Sequence, residues 1–194
     1  MKTIQERLAE ILPKITDPSF RENKGMSNEV GYYIFDYDPE HEMIVRDHIA
    51  FIKDRVNKEG SDLYIREFDL YEIVIAILEE KGYLQKNFEM EKRRGSAFVL
   101  NATQKTLRLT LNHDLVIQYM KERVQPNDIV FITGVGRVFP FIRSHTILNN
   151  IHRAVGRLPV VMFFPGKYNG QSLMLFNELK DDNYYRAFPL VGYQ

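Results

Sequence analysis

Ile129-Val130-Phe131-Ile132-Thr133, followed at once by Gly134-Val135-Gly136-Arg137, is the stretch from which the fold is read. A strand with one wet face alternates apolar and polar positions; an unbroken apolar, β-branched run marks a strand buried on both faces. Pro159-Val160-Val161-Met162-Phe163-Phe164 is a second such run, and Pro165-Gly166 is expected to stop it. Between the two a helix is expected from about Arg143 to Val155, with Ile147, Leu148, Ile151, Ala154 and Val155 on one face. Strand, helix and strand at this spacing predict parallel neighbours joined by a helical crossover.

Upstream the alternation repeats. Thr3 and Glu6 form a capping box before Ile4, Leu8, Ile11 and Leu12, and Pro13 is expected to end that helix. Residues 16–30 read as a loop. Tyr32-Tyr33-Ile34-Phe35 is a short buried strand, and Asp38 before Pro39 caps a helix carrying Ile44, Val45, His48, Ile49, Phe51, Ile52 and Val56 at helical spacing. Gly60 closes it, and Leu63-Tyr64-Ile65 begins another strand. Asp69 and Glu72 then cap a helix running to Gly82. Residues 85–96 are expected to be a helix end and a loop, residues 97–111 fit helix or strand, and Asn112 or Asp114 caps a helix through Val124. Leu173–Phe176 and Tyr185–Val191 read as edge or late strands. The expected class is α/β, a mostly parallel sheet with helices on both faces (Rossmann-like or degenerate P-loop-like, three layers), in one domain spanning residues 1–194.

Composition narrows the function. The chain has 194 residues, enough for one full core, and is 44% hydrophobic. Lys plus Arg and Asp plus Glu are 26 each, so the basic excess usual in a DNA-binding protein is absent overall and only a local patch remains open. No cysteine is present, which excludes disulfides, a thiol nucleophile and Cys-ligated zinc. The N-terminus is charged, no apolar run approaches the roughly 20 residues of a membrane span, and a cytoplasmic location is expected.

Gly134-Val135-Gly136 after a buried strand invites a phosphate-binding reading, because glycines let backbone amides approach an anion. A P-loop needs Gly-Lys-Ser/Thr at the helix start, however, and Gly136 is followed by Arg137-Val138-Phe139-Pro140. A structural turn is preferred. Arg137, Arg143, Ser144 and His145 follow the strand where open α/β sheets place ligands, and Arg143 and His145, near a helix start, can bind an acidic side chain or a phosphate or form a solvated helix end. His145 and His152 are two turns apart, about 10 Å, too far for one metal. Asp36, Asp38, Glu40 and Glu42 can hold magnesium, but Asp38 already serves as a cap. His48 is expected to be a buried, hydrogen-bonded core residue. Lys92-Arg93-Arg94 is the one compact basic run, a candidate for nucleic-acid phosphates diluted by Glu89 and Glu91. Asp181, Asp182, Tyr184 and Arg186 cluster the residue types favoured at protein interfaces. No catalytic constellation emerges, so no enzymatic activity, cofactor or metal is expected.

Three runs, at residues 132–150 (ITGVGRVFPFIRSHTILNN), 159–173 (PVVMFFPGKYNGQSL) and 179–188 (LKDDNYYRAF), resemble the BrxB family of BREX phage-defence systems. The resemblance implies a small component of a multi-gene system that blocks phage replication and marks host DNA by methylation. The other components include a methyltransferase, a large ATPase and the phosphatase-like PglZ. It implies an adaptor that binds other BREX proteins, PglZ foremost, with a degenerate nucleotide- or nucleic-acid-binding module as the alternative. The family supplies no catalytic residues. The matched positions expected at a partner surface are Arg137, Arg143, His145, Tyr168, Asn169, Asp181, Asp182, Tyr184 and Arg186.

Overall fold

A computed structural model of the chain describes residues 2–21, 31–58, 61–181 and 187–194. The first part runs α1 (Ile4–Ala9), α2 (Ile11–Thr16), α3 (Pro18–Arg21), β1 (Tyr32–Tyr37), α4 (Glu42–Val56), β2 (Tyr64–Asp69), α5 (Leu70–Glu80), α6 (Leu84–Arg94), α7 (Ser96–Leu107) and α8 (Leu115–Lys121). It continues through β3 (Asp128–Thr133), α9 (Val135–Val138), α10 (Ser144–Asn150), α11 (His152–Val155), β4 (Val160–Tyr168), β5 (Leu173–Leu175), β6 (Leu179–Asp181) and β7 (Phe188–Pro189).

All six residues of β3 are buried, as its unbroken apolar run predicts. The strand lies inside the order β2-β3-β4-β1-β7, in which every neighbouring pair is parallel. The sheet is nevertheless mixed, because β4 runs on past its parallel neighbours into an antiparallel extension with β5, and β5 with β6. This order is neither of the doubly wound orders usual in dinucleotide and flavin proteins, so the Rossmann-like expectation does not carry over. Side chains alternate between two cores. Ile129, Phe131, Val161, Phe163 and Phe35 face one that includes α1, α2 and α4. Val130, Ile132, Met162, Phe164 and Ile34 face the other, with α5, α7, α8, α10 and α11. Among the described residues no helix is long and apolar enough to cross a membrane.

Several local expectations give way to tertiary context. Pro13 sits inside α2, not at the end of α1; a first-turn residue has no intrahelical acceptor for its N–H, so proline costs nothing there. Pro165-Gly166 does not end β4, because Pro165 is the last residue paired with β1 and Gly166 already pairs with Leu175 of β5. Residues 85–96 are mostly helix α6, and residues 97–111 settle largely as helix α7. The helix expected over 143–155 is divided into α10 and α11. On α4 the buried face is Val45, Ile49, Ile52 and Val56, while Ile44 and Phe51 are exposed. Thr16 ends α2 and Pro18–Arg21 is helical where a loop was expected; residues 22–30 of that loop, and Gly60, lie outside the described residues.

Candidate partner-binding site

The four parallel strands β1 to β4 release their chains at one edge, the position where open α/β sheets present ligand-binding groups. On the α10 side of this edge lies a cavity of about 270 Å³. Its floor is apolar: Phe139, Phe164 at the end of β4, and Leu173 and Leu175 of β5. Its rim is charged: Arg143, Glu178, Lys180 and Asp181. Arg143 is exposed, with an extended backbone (φ −97°, ψ 148°) at the N-cap of α10, and it lines the cavity. His145, in the first turn of α10, meets Asp181 at the end of β6 with Nδ1 2.9 Å from Oδ2. This contact joins helix α10 to a hairpin distant in sequence, and Asp181 also lines the cavity.

The Gly134-Val135-Gly136 turn is filled by the protein itself. Gly134 has φ of 70°, and a Cβ there would lie 2.2 Å from Asp69 Oδ1. A Cβ on Gly136 would lie 2.9 Å from the Phe176 ring, which packs edge-to-face on Phe139 at 6.3 Å. The glycines thus admit a carboxylate and an aromatic ring. An acidic group in that place repels phosphate, in agreement with the turn reading. Asp69 also caps α5, accepting from the Tyr71 and Glu72 amides at 3.0 and 3.2 Å. The Glu72 side chain does not complete the capping box. It pairs with Arg137 Nη1 at 3.2 Å, and Arg137 Nη2 donates to Asp69. Burial works against the charged Arg137, but the two carboxylates outweigh it and raise its pKa above the ordinary value. Arg137 ties α9 to α5 and stands apart from the cavity.

A smaller cavity of about 160 Å³ opens on the α4 side of the same edge. Its carboxylates are engaged. Glu67 accepts from Lys53 at 2.6 Å and from Thr133 Oγ1 at 2.7 Å, and Glu42 accepts from Arg46 at 2.7 Å and from the Tyr37 hydroxyl. Burial, reinforced by Glu42, pushes the Tyr37 pKa well above that of an ordinary phenol. Asp38 caps Glu40, and Asp36 is spent on structure as described below, so these acids do not converge as the magnesium reading required. Among the described residues no cluster of three or more His, Asp or Glu side chains is arranged to hold a metal ion.

Comparison with known proteins places these features in a family. The model of the BREX protein BrxB family matches residues 66–190. A BREX protein BrxB of Bacillus cereus is 68% identical over 191 residues, covering 98% of this chain and 99% of that protein. A BREX protein BrxB of Escherichia coli is 30% identical over 190 residues, covering 97% and 92%. The chain belongs to the BrxB family. No solved structure matches it. As a BrxB protein it is a component of a BREX system, and the match from Arg66 to Leu190 takes in the residues that line the larger cavity.

Of the positions singled out in this BrxB sequence, Arg143 and Asp181 line the cavity, and His145 is paired with Asp181. Tyr168 does not lie on the surface: it is buried, its hydroxyl donates to the Ala187 carbonyl at 2.8 Å, and its amide donates to Asp36. An aromatic ring at the end of a strand is drawn into the core when its hydroxyl has an internal acceptor. Asn169 is a turn residue whose Oδ1 accepts from the Gln171 and Ser172 amides at 2.9 and 2.7 Å. Asp182, Tyr184 and Arg186 lie outside the described residues. His48 is half-buried, not a core residue, and its buried Nε2 has no partner among the described residues.

Two groups escaped sequence reasoning. Glu178 and Lys180 reach the cavity rim through the β5–β6 hairpin, which no periodicity announces. Arg7, on what reads as an exposed amphipathic helix, is 2% exposed. It donates to the Asp36 carbonyl (2.7 Å), the Asp36 carboxylate (3.0 Å) and the Val191 carbonyl (3.3 Å), beneath the Tyr193 ring at 3.9 Å. The Tyr193 hydroxyl completes the group by donating to Asp36 at 2.9 Å, and burial, with the Asp36 charge, pushes its pKa up to about 12.

Proposed function

We propose that this BrxB chain acts in its BREX system as a non-enzymatic adaptor that docks another BREX protein, PglZ foremost, at the cavity between α10 and the β5–β6 hairpin. The observation that carries the reading is the cavity's construction, an apolar floor of Phe139, Phe164, Leu173 and Leu175 beneath a rim of Arg143, Glu178, Lys180 and Asp181. An apolar centre ringed by charged groups is the anatomy of a protein-binding surface, where the centre takes an anchoring side chain and the rim sets orientation. The engagement of Glu42, Glu67 and Asp69 in ion pairs and caps on the α4 side of the sheet edge supports the non-enzymatic part, because these three carboxylates are committed to structure.

The test is co-purification of the tagged chain from cells carrying the full BREX system, with the complex sized by gel filtration. The expected result is a stable complex containing PglZ that Arg143→Glu abolishes, because charge reversal at a rim commonly costs tenfold or more in affinity. Elution of the chain alone, folded and unchanged by every BREX component, would overturn the reading.

A further inference from the structure

The charge of the molecule is not evenly spread. Residues 81–108 carry seven basic side chains, Lys81, Lys86, Lys92, Arg93, Arg94, Lys105 and Arg108, against Glu89 and Glu91. Seven minus two is a net of +5, and since the whole chain is neutral the remainder carries −5. The segment runs from Lys81, the C-cap of α5, to Arg108, the C-cap of α7, and its body is a helical hairpin in which α6 and α7 meet at Gly95. The bonds from Asn87 to Thr103 and from Ser96 to Glu91 show that the two helices run antiparallel. Helix α7 is rooted in the body by Val99, Thr103 and Leu107. Helix α6 rides outside it, with Asn87 its one buried residue.

The seven cations are exposed, and none has an ion-pair or hydrogen-bond partner among the described residues. Elsewhere Arg7, Arg46, Lys53, Arg66 and Arg137 are matched with carboxylates. Lys86 and Arg93, seven residues apart, share one outer stripe of α6, with Lys92 beside it. Arg94 lies over the Phe98 ring with Cζ 3.6 Å from its centroid, a contact that positions the guanidinium without neutralising its charge.

We infer that the α6–α7 hairpin is a docking surface for the phosphate backbone of double-stranded DNA, bound without base specificity. Charge selects a polyanion, and shape selects among polyanions. A convex, nearly uncovered helix about 10–12 Å across matches the width of the B-form major groove. The deep, narrow groove of A-form RNA does not admit it. A membrane surface asks for a wide apolar face, and the exposed large apolar side chains here are only Tyr83 and Phe88. The inference does not rest on the adaptor reading, since the hairpin and the cavity use different residues.

The experiment is fluorescence anisotropy of a labelled duplex DNA of arbitrary sequence, titrated with the full chain at a series of salt concentrations. Duplex RNA and polyglutamate serve as competing polyanion arms. Binding at about 50 mM salt is expected, with log K falling against log salt at a slope of about −3 to −5, the signature of a few phosphates neutralised. The Lys92→Glu, Arg93→Glu, Arg94→Glu triple variant should lose binding with its melting temperature held, and Lys86→Glu alone should flatten the slope by about one. Swapping the three cations as Lys92→Arg, Arg93→Lys and Arg94→Lys should restore binding. No binding by the wild-type chain at low salt overturns the inference, as does binding that survives the triple reversal. Equal retention of duplex RNA overturns the groove geometry. Capture of polyglutamate with DNA ignored gives the hairpin to an acidic protein instead.

Discussion

At position 134 a glycine is required twice over, by φ of 70° and by the Asp69 carboxylate standing where a Cβ would go. Gly134→Ala should therefore destabilise the chain by about 1–3 kcal/mol, read as a lower urea midpoint. An unchanged midpoint would mean that Asp69 can withdraw from both α5 and Arg137 at no cost. His48 offers a pH test. Burial lowers its pKa below the ordinary 6.5, with the Leu8 backbone working the other way. Its buried Nε2 has no acceptor for the proton it would gain. The neutral ring is thus the form the fold prefers. Its contribution is complete above about pH 6.5 and is lost as pH falls below that value towards the lowered folded pKa, because the unfolded state then binds the proton first. Urea midpoints of the wild type should fall across this window more steeply than those of His48→Gln; parallel profiles would remove His48 from the acid response.

At the scale of elements, β2 is one edge of the parallel sheet among the described residues. An edge strand with free amides and carbonyls invites a second chain to pair with it. Asn57, at the end of α4, covers one such point. Its Oδ1 accepts from the Ile65 amide at 2.7 Å and its Nδ2 donates to the Ile65 carbonyl at 2.9 Å, imitating a neighbouring strand. Asn57→Ala should cost about 1–3 kcal/mol and raise the weight-average mass with concentration in sedimentation equilibrium. A variant that stays monodisperse would show that the edge is protected by other means. The elements also differ in how legible they were. β3 and β4 declared themselves because their central runs, Ile129 to Ile132 and Val160 to Phe164, are apolar and buried on both faces. Helix α6 did not, because a helix that rides on another helix buries almost nothing and leaves no apolar period to read. β5 is read from Leu173–Phe176, but β6, three residues long with two of them exposed, is too short for alternation to register.

At the scale of the whole molecule, the cavity beside α10 and the α6–α7 hairpin form two surfaces of different chemistry, and the two should come apart by mutation. Arg143→Glu should abolish co-purification with the BREX partner and leave DNA retention intact. The triple reversal at Lys92, Arg93 and Arg94 should do the opposite, and both proteins should keep the wild-type melting temperature, because these side chains are exposed. Loss of both functions in either variant would show one surface where two are drawn. The α/β class, the buried strands and the BrxB resemblance were all determined by sequence, because burial periodicity and family motifs are local, read a few residues at a time. The strand order, the meeting of His145 with Asp181, and the burial of Arg7 and Tyr168 were decided only by tertiary structure. The partners in each contact are distant along the chain, 36 residues apart for His145 and Asp181 and 29 for Arg7 and Asp36. No local pattern records a contact whose energy exists only once the intervening chain has folded between its ends.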